Sequence, residues 1–286
     1  MLPDIRSPGG GASWSMTSYG SLDAAGTRPG PLPYWGLRVA LLALVALALM
    51  GVCAGTRLPP ETGTLPFSLG ERLNYQVSLA NGTKVGSATM WIEGPVDVRG
   101  TKTLLLKFDS RIRVLLIPAV SRSSSWFDPV RGASLRFFKQ ERNPLSHHDE
   151  SVDLFPDSKR WKSVGDSGES TTSAPLDELS FMYFIRTLPM TAGATYSLDR
   201  HFDTTRNPVT VSVIRREVIP TPMGELHVVR VEMRVRDPRH YKGEGIIRIH
   251  LSDDACRLPV RIESTMPVIG TAILTIASEQ SRCQMK

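Results

Sequence analysis

Apolar and polar side chains alternate along much of the chain after residue 66. Between residues 73 and 79 every second side chain is apolar, which is the pattern of a strand with one buried face. Asn81-Gly82 follows, and this pair favours a type I′ hairpin turn because both central residues of that turn take positive φ. Residues 85–92 then predict the partner strand.

Strand-like patterns recur to the end of the chain, with turn-forming residues between them. We predict strands at residues 103–108, 111–117, 123–127, 134–140, 151–155, 160–164, 209–218, 225–235, 243–251, 259–265 and 271–278. No strand–helix–strand rhythm occurs, so a parallel sheet is not supported. The pattern predicts a mostly β fold, either an antiparallel curved sheet or a sandwich- or barrel-like arrangement.

One segment, residues 177–188, shows helical spacing instead. Its apolar side chains at this spacing are Leu179, Met182, Tyr183, Ile185 and Leu188. Asp177 suits the N-cap position because a carboxylate there accepts hydrogen bonds from the free N–H groups of the first turn. Pro189 then ends the helix. We predict one principal helix whose apolar face packs on the sheet.

An uncharged apolar segment covers residues 39–55 and follows Arg38. As a secretory signal it is cleaved after Ala54, because the residues before the cleavage point are small. As an uncleaved helix it anchors the chain in a membrane, since about 17 to 20 apolar residues span a bilayer. In a third interpretation Cys53 carries the lipid of a bacterial lipoprotein. A buried core helix is disfavoured because the segment is apolar on all sides.

This N-terminal hydrophobic helix divides the chain into parts. Residues 1–35 are rich in Gly, Pro and Ser and are predicted to be a disordered tail. Residues 36–55 form the signal peptide or membrane anchor, residues 56–66 a proline-stiffened linker, and residues 67–286 the β-rich domain. Because basic residues precede the segment, the domain is predicted to be periplasmic, exported or anchored in the inner membrane.

Charge and cysteine content narrow the range of functions. The formal net charge is +6 at pH 7, which suits proximity to anionic lipid or polysaccharide and is equally compatible with an ordinary solvated surface. No dense Lys/Arg run with interleaved aromatic residues occurs, so the sequence does not favour nucleic-acid binding. Two cysteines in an oxidising compartment often pair. We therefore predict a disulfide between Cys256 and Cys283, with a turn between residues 268 and 269 bringing Cys256 opposite Ser281.

Two clusters offer candidate chemistry. Residues 147–150, His-His-Asp-Glu, form the densest set of metal-ligand types, but adjacent histidines on an extended chain point to opposite faces. We interpret this stretch as a polar loop and predict neither a metal site nor a cofactor. His201 and Asp203 are placed on one face of a strand, where they could act as an acid–base pair. No local catalytic motif marks a nucleophile.

Three spaced motifs carry a family resemblance. They are Phe67-x-x-Gly70-Glu71-x-Leu73-x-Tyr75, then Asp177-x-x-Ser180-x-x-Tyr183-x-x-Arg186-x-Leu188-Pro189-x-x-x-Gly193, and finally Ser252-Asp253 ahead of Pro259-Val260. With these motifs, residues 67–280 resemble the bacterial "domain of unknown function 3108" family of exported proteins. The resemblance implies a periplasmic or envelope β protein, and it transfers no catalytic residue.

Two functional hypotheses follow. In the first, the protein is a non-enzymatic envelope protein that binds a lipid-like ligand or an envelope partner. Phe181 and Phe184 are then ligand contacts, because they lie off the Met182–Ile185 face of the helix; alternatively, both side chains simply fill the core. In the second hypothesis the protein is a hydrolase with dispersed catalytic residues centred on His201 and Asp203. An apolar groove would favour the first hypothesis, and a polar cleft with convergent titratable groups would favour the second.

Overall fold

The computed structural model describes residues 65–114, 117–144, 146–236, 244–266 and 270–281. The predicted tail, the hydrophobic segment and all but the last residues of the linker lie outside these ranges. Within them, no helix combines the length and the apolar character needed to cross a bilayer.

The described residues form fourteen strands and one α-helix. The strands are β1 (Arg72–Leu79), β2 (Lys84–Val98), β3 (Thr101–Val114), β4 (Ile117–Asp128), β5 (Ala133–Asn143), β6 (Ser146–Phe155), β7 (Arg160–Ser163), β8 (Asp166–Glu169), β9 (Thr195–Leu198), β10 (Val209–Thr221), β11 (Gly224–Arg236), β12 (Glu244–Ser252), β13 (Pro259–Met266) and β14 (Gly270–Gln280). Helix α1 (Glu178–Phe184) lies between β8 and β9 and continues as a 3-10 turn, Ile185–Thr187. A second 3-10 turn, Thr204–Arg206, precedes β10.

All fourteen strands belong to one antiparallel sheet with the order β8-β7-β6-β5-β4-β3-β2-β1-β14-β13-β12-β11-β10-β9. Strands that follow one another along the chain pair with each other, except β8 and β9, and the pairing of β1 with β14 joins the two halves. The sheet does not close, because β8 and β9 are its edges. This arrangement confirms the predicted mostly β, antiparallel curved sheet with one principal helix.

The sheet curves strongly around its inner face, which is the face that packs against α1. Strand β10 contacts β14 although three strands separate them in the sheet order. The Nη2 group of Arg261 also donates to the carbonyl of Pro220 at 2.9 Å, which links β13 to β10. Beyond β8, the chain is held to the other half of the sheet because the hydroxyl of Thr171 donates to the carbonyl of Asp199 at 2.9 Å.

The first hairpin is confirmed, but its predicted turn type is wrong. Gly82 has a φ of 83°, whereas Asn81 is not among the residues with positive φ. The Gly82 N–H donates to the carbonyl of Leu79, and the Leu79 N–H donates to that of Thr83, both at 2.9 Å. The strands are therefore joined by a longer loop in which only the glycine takes the left-handed conformation.

Helix α1 begins where the sequence predicts it. The Asp177 side chain accepts from the N–H groups of Leu179 and Ser180 at 2.9 Å each, and the Ser180 hydroxyl accepts from the Asp177 N–H at 2.9 Å. This capping box satisfies donors that the first turn leaves free. The helix is shorter than predicted, because the last residues before Leu188 form the 3-10 turn. Its apolar residues join one core with the inner face of the sheet.

Candidate ligand-binding face

The two predicted ligand contacts lie in the core. Phe181 and Phe184 are 2% and 6% exposed, and their rings meet edge to face with centroids 6.4 Å apart. Phe181 also stacks against His201 with centroids 6.4 Å apart. The guanidinium of Arg200 lies 4.2 Å from the centroid of Phe184. The structure thus assigns both side chains a packing role, and their contact with a ligand stays a prediction.

The end of α1 holds a buried ion pair that the sequence analysis did not predict. Arg186 and Glu71 have side chains 0% and 1% exposed. Arg186 donates from Nη1 to Oε1 of Glu71 at 2.7 Å and from Nη2 to Oε2 at 2.9 Å. This two-pronged geometry suits a planar guanidinium and a carboxylate, and it compensates for part of the cost of burying both charges.

The same arginine joins the three sequence motifs. Its Nη2 also donates to the carbonyls of Pro66 and Cys256, at 2.8 Å and 2.9 Å. In return, Nη1 of Arg257 donates to the carbonyl of Arg186 at 2.9 Å and to that of Leu188 at 2.6 Å. The start of β1, the end of α1 and the turn between β12 and β13 are therefore fixed to one another at a single buried point.

Two tyrosines line this point without giving it acid–base character. The hydroxyl of Tyr75 donates to the carbonyl of Pro259 at 2.9 Å. Burial raises the pKa of Tyr75 and of Tyr183 well above the ordinary tyrosine value. Both therefore stay neutral, and with Arg186 and Glu71 they form a structural anchor with no access from solvent.

A second buried network surrounds the helix N-cap. The hydroxyl of Ser125 donates to Oδ2 of Asp177 at 2.5 Å, and that of Ser134 donates to the hydroxyl of Ser180 at 2.8 Å. Burial raises the pKa of Asp177 to about 6, and the hydrogen bonds from serines oppose this shift. Each of these four side chains is fully buried, so the network attaches the helix to β4 and β5 rather than offering a nucleophile to solvent.

The predicted acid–base pair is not formed in the described structure. His201 and Asp203 lie in the segment between β9 and β10, not on a strand as predicted. Asp203 caps the following 3-10 turn, and its Oδ1 accepts from the N–H and hydroxyl of Thr205 at 3.0 Å and 2.7 Å. His201 uses Nδ1 to accept from the backbone N–H of Asp203 at 3.1 Å. Burial lowers the pKa of His201 to about 4, so the imidazole is neutral at neutral pH.

The stretch of residues 147–150, predicted to be a polar loop, lies in strand β6 instead. Pairing with β5 extends it, and Asp149 forms an ion pair with Arg142 at 2.5 Å. The Nε2 atom of His148 lies 3.8 Å from a carboxylate oxygen of Glu150. Among the residues that the structure describes, no group of three or more His, Cys, Asp or Glu side chains is placed to hold a metal ion.

The cysteine pair falls partly outside the described ranges. Cys256 is buried in the turn between β12 and β13, whereas Cys283 is not described. The register of the last hairpin pairs Arg261 with Thr275 and Ile262 with Leu274. The predicted turn would have paired Arg261 with Ile276 instead. The strands are therefore shifted by one residue from the predicted register, and the predicted position of Cys256 opposite Ser281 is wrong. The disulfide itself stays a prediction.

A charged cluster lies on the inner face beside the start of α1. Glu178 forms ion pairs with Arg206 and, at 3.7 Å, with Lys139 on β5. Burial alone would raise the pKa of Glu178, but these two cations lower it to about 2. Burial would likewise lower the pKa of Lys139, and the carboxylates of Glu178 and Glu141 raise it instead. The cluster is therefore fully ionised at neutral pH.

The apolar inner face continues past the buried core toward the hairpin tips. We call this part the open inner surface; its apolar side chains are all partly exposed and pack against the core, namely Phe108, Ile112, Met182, Val235 and Ile247. Phe108 and Ile112 share their face of β3 with the fully buried Leu106, because side chains alternate along a strand. The core thus ends partway along the strands, and apolar surface of the same face reaches solvent.

Small side chains accompany these apolar residues. On β4, Ala119 pairs with Ile112 and Ser123 pairs with Phe108, and all four side chains are partly exposed. Large apolar and small side chains therefore lie side by side on this part of the inner face.

A separate polar depression of about 240 Å³ lies on β10 and β11. It is lined by Arg216, Glu217, Val218, His227, Val228 and Asp253. Nε of Arg216 binds the carboxylate of Asp253 at 2.8 Å, so the strongest charges in it are already paired. The depression does not match the apolar groove that the ligand hypothesis predicts.

Comparison with known proteins gives a family and a fold. The family model described as "Protein of unknown function (DUF3108)" matches residues 74–277, which confirms the resemblance. No curated protein matches the chain. A beta-barrel-like protein of domain of unknown function DUF1849 from Brucella abortus is 11% identical, with a TM-score of 0.55 over 76% of this chain and 99% of that one. This likeness shows a shared fold.

Two further solved structures are more distant in shape. A candidate lipoprotein from Parabacteroides distasonis ATCC 8503 is 12% identical, with a TM-score of 0.30 over 76% of this chain and 99% of that one. A candidate exported protein with the YmcC-like fold from Bacteroides fragilis NCTC 9343 is 13% identical, with a TM-score of 0.29 over 76% and 98% of the two chains.

Proposed function

This chain belongs to the DUF3108 family, and we propose that it is a non-enzymatic cell-envelope protein that binds a lipid-like ligand on its open inner surface. The observation that carries the proposal is the continuation of the apolar inner face beyond the core. Phe108 and Ile112 on β3, and Val235 and Ile247 on β11 and β12, remain partly exposed although they extend a buried face. Covering them with an apolar ligand is favourable by about 25 cal/mol for each Å² removed from water.

The shape of this surface favours an acyl chain over a protein partner. The residues lie on the inner side of a strongly curved sheet, where a narrow chain fits more readily than a folded surface. Met182 adds an unbranched, polarizable side chain that adapts to irregular apolar ligands. These features support an acyl or similarly slender ligand.

The charged cluster supplies the polar end of such a site. Glu178 and Met182 are four residues apart and therefore share one face of α1. Glu178 binds Lys139 and Arg206, so the same helix face passes from apolar to ionic within one turn. A ligand with an apolar chain and a polar head matches this arrangement, with the chain beside Met182 and the head beside Glu178.

Export would bring the protein to such ligands. The uncharged segment at residues 39–55, preceded by basic residues, predicts that the β domain lies in the periplasm, either released or anchored in the inner membrane. Membranes bound that compartment, so amphiphiles are abundant there.

Titration with a fluorescent fatty acid tests the proposal. We expect saturable binding to the wild type and at least a tenfold loss of affinity for Met182→Glu, because the new carboxylate must be desolvated by the acyl chain. Val164→Glu is the matched control, since Val164 is 94% exposed in the β7–β8 turn. Circular dichroism verifies that both variants are folded. Absence of binding to the wild type, or equal affinity of the two variants, would overturn the proposal.

The predicted contacts Phe181 and Phe184 need a separate test, because a charge at either position would disrupt the core. Phe181→Leu and Phe184→Leu keep the sites apolar and shorten the side chains. If these rings contact the ligand, the affinity for the fluorescent fatty acid falls. If they only fill the core, the midpoint of unfolding falls by a few °C and the affinity is unchanged.

A further inference from the structure

The outer face of the sheet carries tryptophans covered by cations. On β2, the ring centroid of Trp91 lies 5.3 Å from the guanidinium carbon of Arg72 and 5.0 Å from Nζ of Lys107. On β4, the centroid of Trp126 lies 5.7 Å from the guanidinium carbon of Arg136. All these side chains are at least partly exposed, and none belongs to the core or to the open inner surface.

Strand pairing places these residues on one continuous surface. Trp91 pairs with Arg72 on β1 and with Lys107 on β3, while Trp126 pairs with Arg136 on β5. Residues two apart on a strand share a face, so Arg122 on β4 shares the outward face of Trp126. We call this surface the tryptophan–cation face: Arg72, Trp91, Lys107, Arg122, Trp126 and Arg136.

Carboxylates on and beside this face do not neutralise it. Glu93 accepts from Nε1 of Trp91 at 2.7 Å and forms an ion pair with Lys107 at 3.4 Å, and Arg72 also lowers its pKa. Asp109 forms ion pairs with both Arg111 and Arg122, at 3.2 Å and 3.0 Å.

Asp153 on β6 serves both Arg99 and Arg136, at 2.9 Å each. Each of the three carboxylates therefore faces two cations, and the surface keeps an excess of positive charge.

A positively charged face can bind either an anionic membrane surface or an anionic glycan. The surroundings of the tryptophans distinguish between these two ligands. A sugar ring stacks on a free indole face, whereas Arg72 and Lys107 already lie over the ring of Trp91. Guanidinium groups instead match phosphate oxygens in pairs, and tryptophan is enriched at the level of lipid headgroups. Polar neighbours and partial exposure of both rings fit that interfacial position.

We propose that the tryptophan–cation face docks the protein on a bilayer that contains anionic phospholipids. This goes beyond the lipid-like ligand proposed for the inner surface, because it uses the opposite face of the sheet and different residues. The docked sheet would present its outer side to the headgroups. The open inner surface would then remain free to take up an amphiphile near the membrane.

Fluorescence quenching by brominated lipids tests this docking in the full chain. The wild type is reconstituted in brominated phosphatidylcholine vesicles with and without phosphatidylglycerol. The same measurement is made on the Trp91→Phe, Trp126→Phe variant. The quenching lost in this variant is the contribution of the tryptophan–cation face, and the quenching that remains comes from other tryptophans. We expect this contribution to increase with phosphatidylglycerol and to decrease at high salt, because salt screens exposed charges.

Charge variants then assign the interaction. Lys107→Gln with Arg122→Gln should weaken docking about fivefold for each residue removed. The matched control, Lys84→Gln with Lys159→Gln, removes two exposed lysines outside the face and should leave docking unchanged. Equal quenching with and without phosphatidylglycerol, or no difference between the two double variants, would overturn the proposal. A response of both tryptophans to soluble dextran sulfate without any response to vesicles would also overturn it, in favour of an anionic glycan.

Discussion

Replacing Glu71 by Gln tests whether the buried ion pair anchors the fold. The substitution keeps the size of the side chain and removes its charge, so the guanidinium of Arg186 loses its counter-charge in a site where it is 0% exposed. The carbonyls of Pro66 and Cys256 still accept from Nη2, but two neutral acceptors do not replace a carboxylate. The arginine becomes a buried charge without a counter-charge.

The expected cost is large for a single substitution. Breaking a buried ion pair on one side destabilises proteins by roughly 3–5 kcal/mol. For a domain of about 150–250 residues, each kcal/mol lowers the melting temperature by about 2–4 °C. Glu71→Gln is therefore expected to lower it by about 6–20 °C.

Urea unfolding followed by far-UV circular dichroism measures the effect against two references. Asp109→Asn removes the carboxylate that pairs with Arg111 and Arg122 at the surface, and each such pair should cost less than about 1 kcal/mol. The double variant Glu71→Leu, Arg186→Met removes both charges and should be more stable than Glu71→Gln, because no unpaired charge is left. A loss for Glu71→Gln no larger than that for Asp109→Asn would refute the reasoning.

Three further predictions concern pH, redox state and topology. Because burial lowers the folded-state pKa of His201 to about 4 from 6.5, its stabilising contribution is complete above pH 6.5 and falls by roughly 3 kcal/mol toward pH 4. Asp177 has the opposite pH dependence, because burial raises its pKa to about 6. The effect of His201 is therefore measured as the difference in unfolding free energy between wild type and His201→Gln from pH 4 to pH 7. Peptide mapping without reductant of protein from the envelope is expected to recover Cys256 linked to Cys283, and alkylation of both thiols would contradict it. A reporter active only in the periplasm should be active when fused after Lys286, whereas activity of a cytoplasmic reporter would contradict export.

Local patterns predict most of the strands because each strand has one buried face. They predict strand ends less well. Gly94-Pro95 is typical of a strand end, yet β2 continues through it, because pairing with β3 resumes after an irregularity between Glu93 and Val96. Residues 147–150 are predicted to be a loop because they are polar. They belong to β6 instead, since their backbone pairs with β5.

Long-range relations have no local signal. The pairing of β1 with β14 joins the first and last strands, and no turn motif connects them. The Glu71–Arg186 contact likewise joins residues that are 115 positions apart in the sequence. Arg186 directly follows the apolar run of residues 181–185, which is a local hint of a buried partner, because a charge in such a position needs compensation.

The candidate ligand surface depends on where the helix ends against the sheet. Phe108 and Ile112 belong to predicted strands, but their partial exposure follows from the extent of the core, which a strand pattern does not contain. The prediction of Phe181 and Phe184 as contacts used helical spacing alone. Spacing identifies side chains on another face of the helix, but not whether the sheet also covers that face, as it does here.

Photo-crosslinking with a diazirine-labelled fatty acid, followed by peptide mass spectrometry, tests the central claim most directly. The open inner surface predicts that labels attach within β3 around Phe108 and Ile112, within α1 at Met182, and within β11 and β12 around Val235 and Ile247. Excess unlabelled fatty acid should abolish these labels. Labelling confined to other parts of the sheet, or labelling that unlabelled fatty acid does not reduce, would contradict a ligand site on the inner face.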